Sequence, residues 1–225
     1  MHEGSDLVPG VRRMAVLRAN AIGDFIFALP ALEALRSAYP EAEIVLLGRR
    51  WHAAFLAGRP SPVDRVVVMP PCRGVGEPED FVNDEAQLDA FFARMVGEAF
   101  DLAIQIHGGG RYSNPFVRRL GARLTAGLKA PEAEPLDRWV PYRYFQHEVL
   151  RHLEAVALVG ARPVVLEPRV AVTDADLEEA HVVVPDDGRP LVVLHPGAGD
   201  PRRRWPASKF AAVGDALASE GARVA

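Results

Sequence analysis

Apolar positions first cluster at Met14–Leu17, a short run that reads as a buried parallel strand. Small residues follow from Ala19 to Gly23, the composition of a loop. Phe25, Leu29, Leu32 and Leu35 then recur at helical spacing, with Arg36 near the end and Pro40 beyond it. "EIVLLG" (43–48) reads as the next strand, so this stretch predicts a β-α-β unit, a right-handed crossover and a parallel sheet. Pro30 leaves two readings open: it kinks one helix, or it starts a second segment and leaves 24–29 as a separate turn.

The alternation continues. "DRVVVMP" (64–70) predicts a third strand, 71–84 a loop rich in Pro, Gly and acidic residues, and "EAQLDAFFARMVGEAF" (85–100) an amphipathic helix. "DLAIQIHGGG" (101–110) is a strand running into a glycine turn. A helix after Pro115, a short strand at "RLTAGL" (123–128) and a helix in "HEVLRHLEAVALVGA" (147–161) ending at Gly160 complete an α/β pattern. Residues 162–190 are extended, Pro-rich and acidic, with one short helix whose start carries Thr173 and Asp176 at capping-box spacing. "LVVLHPGAG" (191–199) then opens a new strand, and "PASKFAAVGDALASEGARVA" (206–225) a helix and the beginning of another strand. One strand and one helix cannot bury a core of their own. Either the chain is truncated or this fragment packs on the first domain. The expected map is a disordered leader at 1–12, a domain at 13–162, a linker at 163–189 and the start of a second domain at 190–225.

Composition narrows the function. A net charge of −4 gives no general pull toward nucleic acid, so any anion site must be local. The single cysteine, Cys72, excludes an internal disulfide and fits a reducing compartment. No apolar run approaches the ~20 residues of a membrane span, and the polar, acidic N-terminus lacks the features of a signal peptide. The expectation is a cytoplasmic protein, with docking on a membrane surface left open.

Three stretches could carry chemistry. In "RANAIGD", Asn20, Gly23 and Asp24 follow the first strand, where open parallel sheets place their ligands. A carboxylate near a helix N-terminus is stabilised in its charged form, which suits a general base; an ordinary helix cap is the other reading of Asp24. In "QIHGGGR", His107 ends a strand on the same sheet edge, and Gly108 begins a turn of exposed backbone N–H groups; a hydroxyl or phosphate site and a plain tight turn both fit. In "LHPGAGDPRRRWP" (194–206), a strand, a Gly-Ala-Gly turn and three arginines suit a phosphate; a solvated charge run at a helix entrance is the other reading. "DAD" (174–176) reads as helix capping rather than a metal site, and no His, Cys or carboxylate cluster has metal-ligand spacing. The glycine spacing disfavours a nicotinamide-dependent oxidoreductase, and no phosphate-binding P-loop occurs.

Together "VLRANAIGDFIFALPALEALRSAYPEAEI" and "VVLHPGAGDPRRRWPASKFAAVGDAL" resemble glycosyltransferase family 9, the heptosyltransferase-like enzymes. The resemblance implies a GT-B fold of two Rossmann-like domains, an acceptor on the first and a nucleotide diphosphate-sugar, ADP-heptose-like, mainly on the second. It implies inverting transfer without a metal or other cofactor, onto a saccharide or lipid-linked acceptor in lipopolysaccharide synthesis. Asp24 would be the base, with Asn20, Gly23, His107 and Gly108 on the acceptor side. His195, Gly197, Ala198, Gly199, Arg203 and Trp205 would line the donor side, Arg203 standing where the family usually has lysine. The family's later Asp-Ser-Gly and His motif does not occur, so these 225 residues alone are expected to be inactive. A non-catalytic nucleotide- or sugar-binding module on the same scaffold is the alternative. Lipid-linked acceptors leave room for peripheral contact with the inner membrane surface through Arg111, Arg118, Arg119, Arg123 and Lys129.

Overall fold

Residues 7–198 and 200–225 are described by a computed structural model, which divides into one unit ending at Ala171 and a second running Val172–Ala225. The first unit contains β1 (Arg13–Leu17), α1 (Ile22–Ile26), α2 (Leu29–Ala38), β2 (Glu43–Gly48), α3 (Arg50–Leu56) and β3 (Arg65–Val68). Two-residue strands β4 (Cys72–Arg73) and β5 (Gly76–Glu77) follow, then α4 (Glu85–Gly97), β6 (Leu102–Gln105), α5 (Ser113–Arg118), β7 (Leu124–Lys129), β8 (Arg138–Pro141) and α6 (Glu148–Ala157).

Six of these strands form one parallel sheet in the order β3-β2-β1-β6-β7-β8. Strand periodicity of two divides the buried side chains between its faces. Met14, Val16, Ile44, Leu46, Leu102 and Ile104 pack with Phe25, Leu32 and Leu35 of α1 and α2 and with Leu153 and Val156 of α6. Ala15, Leu17, Val45, Leu47 and Ala103 face the other way, against Leu88, Phe91 and Met95 of α4 and Phe116 of α5. Helices therefore cover both faces, which is why Met14–Leu17, Ile44–Leu47 and Leu102–Ile104 are continuous apolar runs. The chain steps outward from β1 to β3 and then returns to the other side of β1 with β6. The sheet reverses direction between β1 and β6, the place where such sheets leave a crevice at their carboxyl ends.

Pro30 resolves into the second of its two readings. It is the second residue of α2, where a missing N–H costs nothing, and α1 is a separate short helix. Pro115 behaves alike: α5 begins at Ser113, before the proline, because its first turn tolerates it. The expected leader is docked from Val8 onward. Val8 is buried in the first core layer and its N–H donates to Tyr39 Oη at 3.0 Å, while Arg12 N–H reaches Asp101 Oδ2 at 2.8 Å. Residues 1–6 lie outside the described residues. Helix α3 and edge strand β8 are additions to the expected elements.

In the second unit, Thr173 caps α7 (Asp174–Val183): its Oγ1 accepts from Asp176 N at 3.2 Å, and its own N–H donates to Asp176 Oδ2 at 2.7 Å. The expected linker is thus divided at Ala171, its helix belonging to the second unit. β9 (Leu191–Val192) pairs in parallel with β10 (Arg223–Val224), and α8 (Ala207–Ser219) connects them. Neither α7 nor α8 has a fully buried side chain.

Strands β6 and β7 leave no room for a side chain where Gly127 faces Gln105. A Cβ at Gly127 would sit 2.5 Å from the Gln105 carbonyl oxygen and 2.8 Å from its Cβ. Gly127→Ala is expected to lower stability by about 1–3 kcal/mol, the usual cost of forcing atoms into a packed interior. Thermal unfolding followed by circular dichroism checks this.

Candidate active site

The loop after β1 is built around a buried cation. Arg18 lies immediately beyond the strand and its side chain is only 2% exposed. Its Nε donates to the Asp24 carbonyl at 3.1 Å and its Nη1 to the Ile106 carbonyl at 2.7 Å, so one guanidinium joins the loop after β1 to the end of β6. Nη2 lies 3.5 Å from both Asp24 Oδ1 and Glu148 Oε2. Burial pulls the Arg18 pKa below its ordinary value, and the two carboxylates oppose that pull.

Asp24 is the third residue of α1. Its Oδ2 accepts from Ala21 N at 3.2 Å, which makes it the acidic partner of a cap. The cap reading is therefore correct, and it leaves room for the other: the carboxylate remains 42% exposed and lines a cavity of about 550 Å3. That cavity sits at the sheet's point of reversal. Asn20, Asp24 and His107 contribute to it, together with Arg49 and Trp51 from the end of β2 and Gly76 and Glu77 of β5. Gly23 faces open space, with no atom within 4 Å of a Cβ placed there; Gly108 has φ +67° and equally open surroundings.

His107 is held from two sides. Its Nδ1 accepts from Ala19 N–H at 3.2 Å. Its carbonyl accepts from Gln105 Nε2 at 2.9 Å and from Ser113 Oγ at 2.8 Å. Burial first, then the charges of Arg18 and Arg49, push its pKa down to about 3, so the ring is neutral at physiological pH. Behind Arg18, Glu148 also meets Arg151 and His152, whose Nε2 is 3.2 Å from Glu148 Oε2. The contact with His152, followed by the charges around it, brings Glu148 to about 2.

A larger cavity of about 730 Å3 shares Arg49, Trp51 and Glu77 with the first and extends over Pro70, Phe91 and Arg94. Arg49 Nη2 donates to Glu77 Oε1 at 3.2 Å, which bridges the wall between the two. Arg49, Trp51, Glu77, Arg18 and Glu148 were missed from sequence. The available signals were an arginine directly after an apolar strand, at Arg18, and "RRW" directly after "EIVLLG".

In the second unit, the three arginines divide their labour. Arg202 pairs with Asp200 at 2.7 Å, and Arg204 Nε donates to the Ala198 carbonyl at 2.7 Å. Arg203 is exposed and its side chain meets no hydrogen-bonding or ion-pair partner among the described residues. The turn does not run straight into a long helix, as expected. Pro201–Arg203 form a 3-10 turn capped by Asp200, and α8 begins only at Ala207. Trp205 packs edge-on against Phe210, their ring centres 5.2 Å apart. His195 lies 3.5 Å from where a Cβ on Gly197 would stand. Gly199 lies outside the described residues.

Of the basic stretch 111–129, Arg111 pairs with Glu79, Arg119 with Asp89 and Arg123 with Asp101; Arg118 donates to the Pro135 carbonyl. Lys129 lies over the Trp139 ring at 5.1 Å. Among the described residues, no helix is long and apolar enough to cross a membrane.

The parallel sheet, its covering helices and the site at its reversal define an α/β protein with a doubly wound, Rossmann-like sheet. The chain belongs to glycosyltransferase family 9 (heptosyltransferase), whose family model matches residues 89–225. Three solved structures share the fold. A family 9 glycosyltransferase from Veillonella parvula aligns with TM-score 0.74 at 18% identity, over 97% of this chain and 64% of that one. E. coli heptosyltransferase WaaC with ADP aligns with TM-score 0.63 at 20% identity, over 94% and 65%. E. coli ADP-heptose lps heptosyltransferase II gives 0.67 at 17%, over 95% and 63%. The chain thus spans a little under two thirds of each. A comparison with curated sequences finds no match.

The buried histidines predict acid sensitivity. His107 is held at about 3 and His52, buried against Phe25, at about 4, against an ordinary 6.5. Below pH 6.5 the unfolded chain takes up protons that the folded protein refuses, so stability falls as pH drops from 6.5 toward 4. Each ring contributes up to about 1.4 kcal/mol per pH unit. The melting temperature should therefore decline across this range, and less steeply in His107→Gln.

Proposed function

We propose that this protein is an inverting, metal-independent glycosyltransferase that moves a heptose-like sugar from a nucleotide diphosphate donor to a saccharide or lipid-linked acceptor in lipopolysaccharide synthesis. Family membership supports the reaction class. E. coli WaaC is described with ADP and with ADP-2-deoxy-2-fluoro heptose, which supports a donor of that chemistry. The observation that carries the reading is the half-exposed Asp24 carboxylate in an open cavity at the sheet's reversal.

In the step itself, the acceptor hydroxyl gives its proton to Asp24 as its oxygen attacks the anomeric carbon from the face opposite the diphosphate. The new carbon–oxygen bond forms while the bond to phosphate breaks, and the nucleoside diphosphate leaves with the electron pair. Its growing charge calls for a cation, the part given to Arg203, the arginine of its run with no hydrogen-bonded or ion-paired partner among the described residues. The acceptor lies against Asn20 and His107, and the cavity beyond Arg49 and Trp51 offers room for its remaining residues. This proposal includes a cytoplasmic location. The basic stretch gives peripheral membrane contact little support, because all five of its cations already have internal partners.

Asp24→Asn, made in the intact polypeptide, is expected to cut the transfer rate by about 10²–10⁴-fold, the range of a lost general base, with donor binding nearly unchanged and the melting temperature lowered by the loss of a charge beside Arg18. Radiolabelled sugar transfer measures this; undiminished turnover would leave the non-catalytic binding module as the better reading. Arg203→Ala is expected to weaken donor binding or turnover by roughly tenfold or more, the worth of a charge-assisted hydrogen bond. Arg202→Ala should cost much less, because Asp200 already neutralises that side chain.

A further inference from the structure

We infer that His107 is the hydrogen-bond donor that orients the acceptor: its ring is locked with the proton on Nε2 and offers that proton to an oxygen of the acceptor saccharide beside Asp24. The inference rests on the acceptor reading of the cavity given above and assigns the direction of the bond within it.

The lock follows from the partner of Nδ1. Ala19 contributes a backbone N–H, which can only donate, so the ring nitrogen 3.2 Å away has to be the unprotonated one. A neutral imidazole then carries its proton on Nε2. A second proton is opposed by burial and by the cations that face the ring, Arg18 from the end of β1 and Arg49 from the end of β2, with His52 of α3 beyond them. Asp24 and Glu77 are the acidic groups on the cavity wall. Movement is opposed as well, because Gln105 and Ser113 both pin the His107 carbonyl and both are buried.

The remaining nitrogen faces the cavity. Nε2 has no hydrogen-bond partner among the described residues, yet it is not among the sealed, unsatisfied polar atoms of the interior, and His107 lines the cavity that holds Asp24. One wall therefore accepts a proton and another donates one. An acceptor hydroxyl that surrenders its proton to Asp24 is fixed in rotation when a neighbouring oxygen of the same sugar accepts from His107. The ring cannot serve as a second base, since its only lone pair is engaged by Ala19.

Two-dimensional proton–nitrogen NMR on histidine-labelled protein reads the tautomer directly, with His107→Gln identifying the signal. The expected result is an Nε2–H ring that does not titrate between pH 8 and 5 and whose Nε2 signal moves when a deacylated lipopolysaccharide core oligosaccharide is added. Calorimetry with the same oligosaccharide should show about tenfold weaker binding for His107→Phe and a loss within about threefold for His107→Gln, whose amide still donates. An Nδ1–H ring, a midpoint near 6.5, or equal losses in the two variants overturns the assignment. An Nε2–H ring in a wild-type protein that does not bind the oligosaccharide overturns the acceptor reading instead. An Nδ1–H ring with normal binding defeats the role of His107 alone.

Discussion

A guanidinium with almost no contact with water holds the site in shape. Burying a cation costs several kcal/mol unless it is compensated; Nε and Nη1 of Arg18 are hydrogen-bonded to two backbone carbonyls, while the buried Nη2 makes no hydrogen bond and is offset by the charges of two carboxylates 3.5 Å away. Those partners come from the loop after β1, the end of β6 and the start of α6. The geometry of Asp24 is therefore not a property of its loop alone. It depends on β6 lying beside β1 and on α6 crossing the same face, and so on the order of strands in the sheet.

That order also explains why one cavity collects residues from distant parts of the chain. Each parallel strand delivers the residue just beyond its carboxyl end to the same edge. β1 brings Asn20 and Asp24, β2 brings Arg49 and Trp51, and β6 brings His107. The polar groups that result are sharply divided in character. Asp24 is partly in water; His107 and His52 are buried and neutral; Glu148 is ionised and surrounded by cations. Low dielectric behind the cavity and open water in front of it keep these roles apart.

Local signals in the sequence were sufficient wherever the physics was local. The first β-α-β unit, α4, the Thr173 capping box and the loop holding Asp24 all follow from periodicity, caps and glycine placement. Helix α3 escaped notice because it begins after Arg49 with no side-chain oxygen to cap it, and β8 because it is a four-residue edge strand with half-exposed positions. The partners of Asp24 escaped for a different reason. Glu148 is more than a hundred residues from Arg18 in sequence, and only the sheet brings them together. The arginine run was legible as a cluster of charge but not as three different jobs, since Asp200 and the Ala198 carbonyl claim two of its members.

The indole of Trp51 lies almost flat on the ring of His52, their centres 3.6 Å apart and planes 28° from parallel. His52 is itself immobilised, accepting from Arg49 N–H at 3.0 Å and meeting Phe25 edge-on. The partition between the two cavities is thus a stiff aromatic plate rather than a swinging side chain. A molecule that spans both chambers meets a surface already set in place, and surrenders little rotational freedom of the protein in settling there.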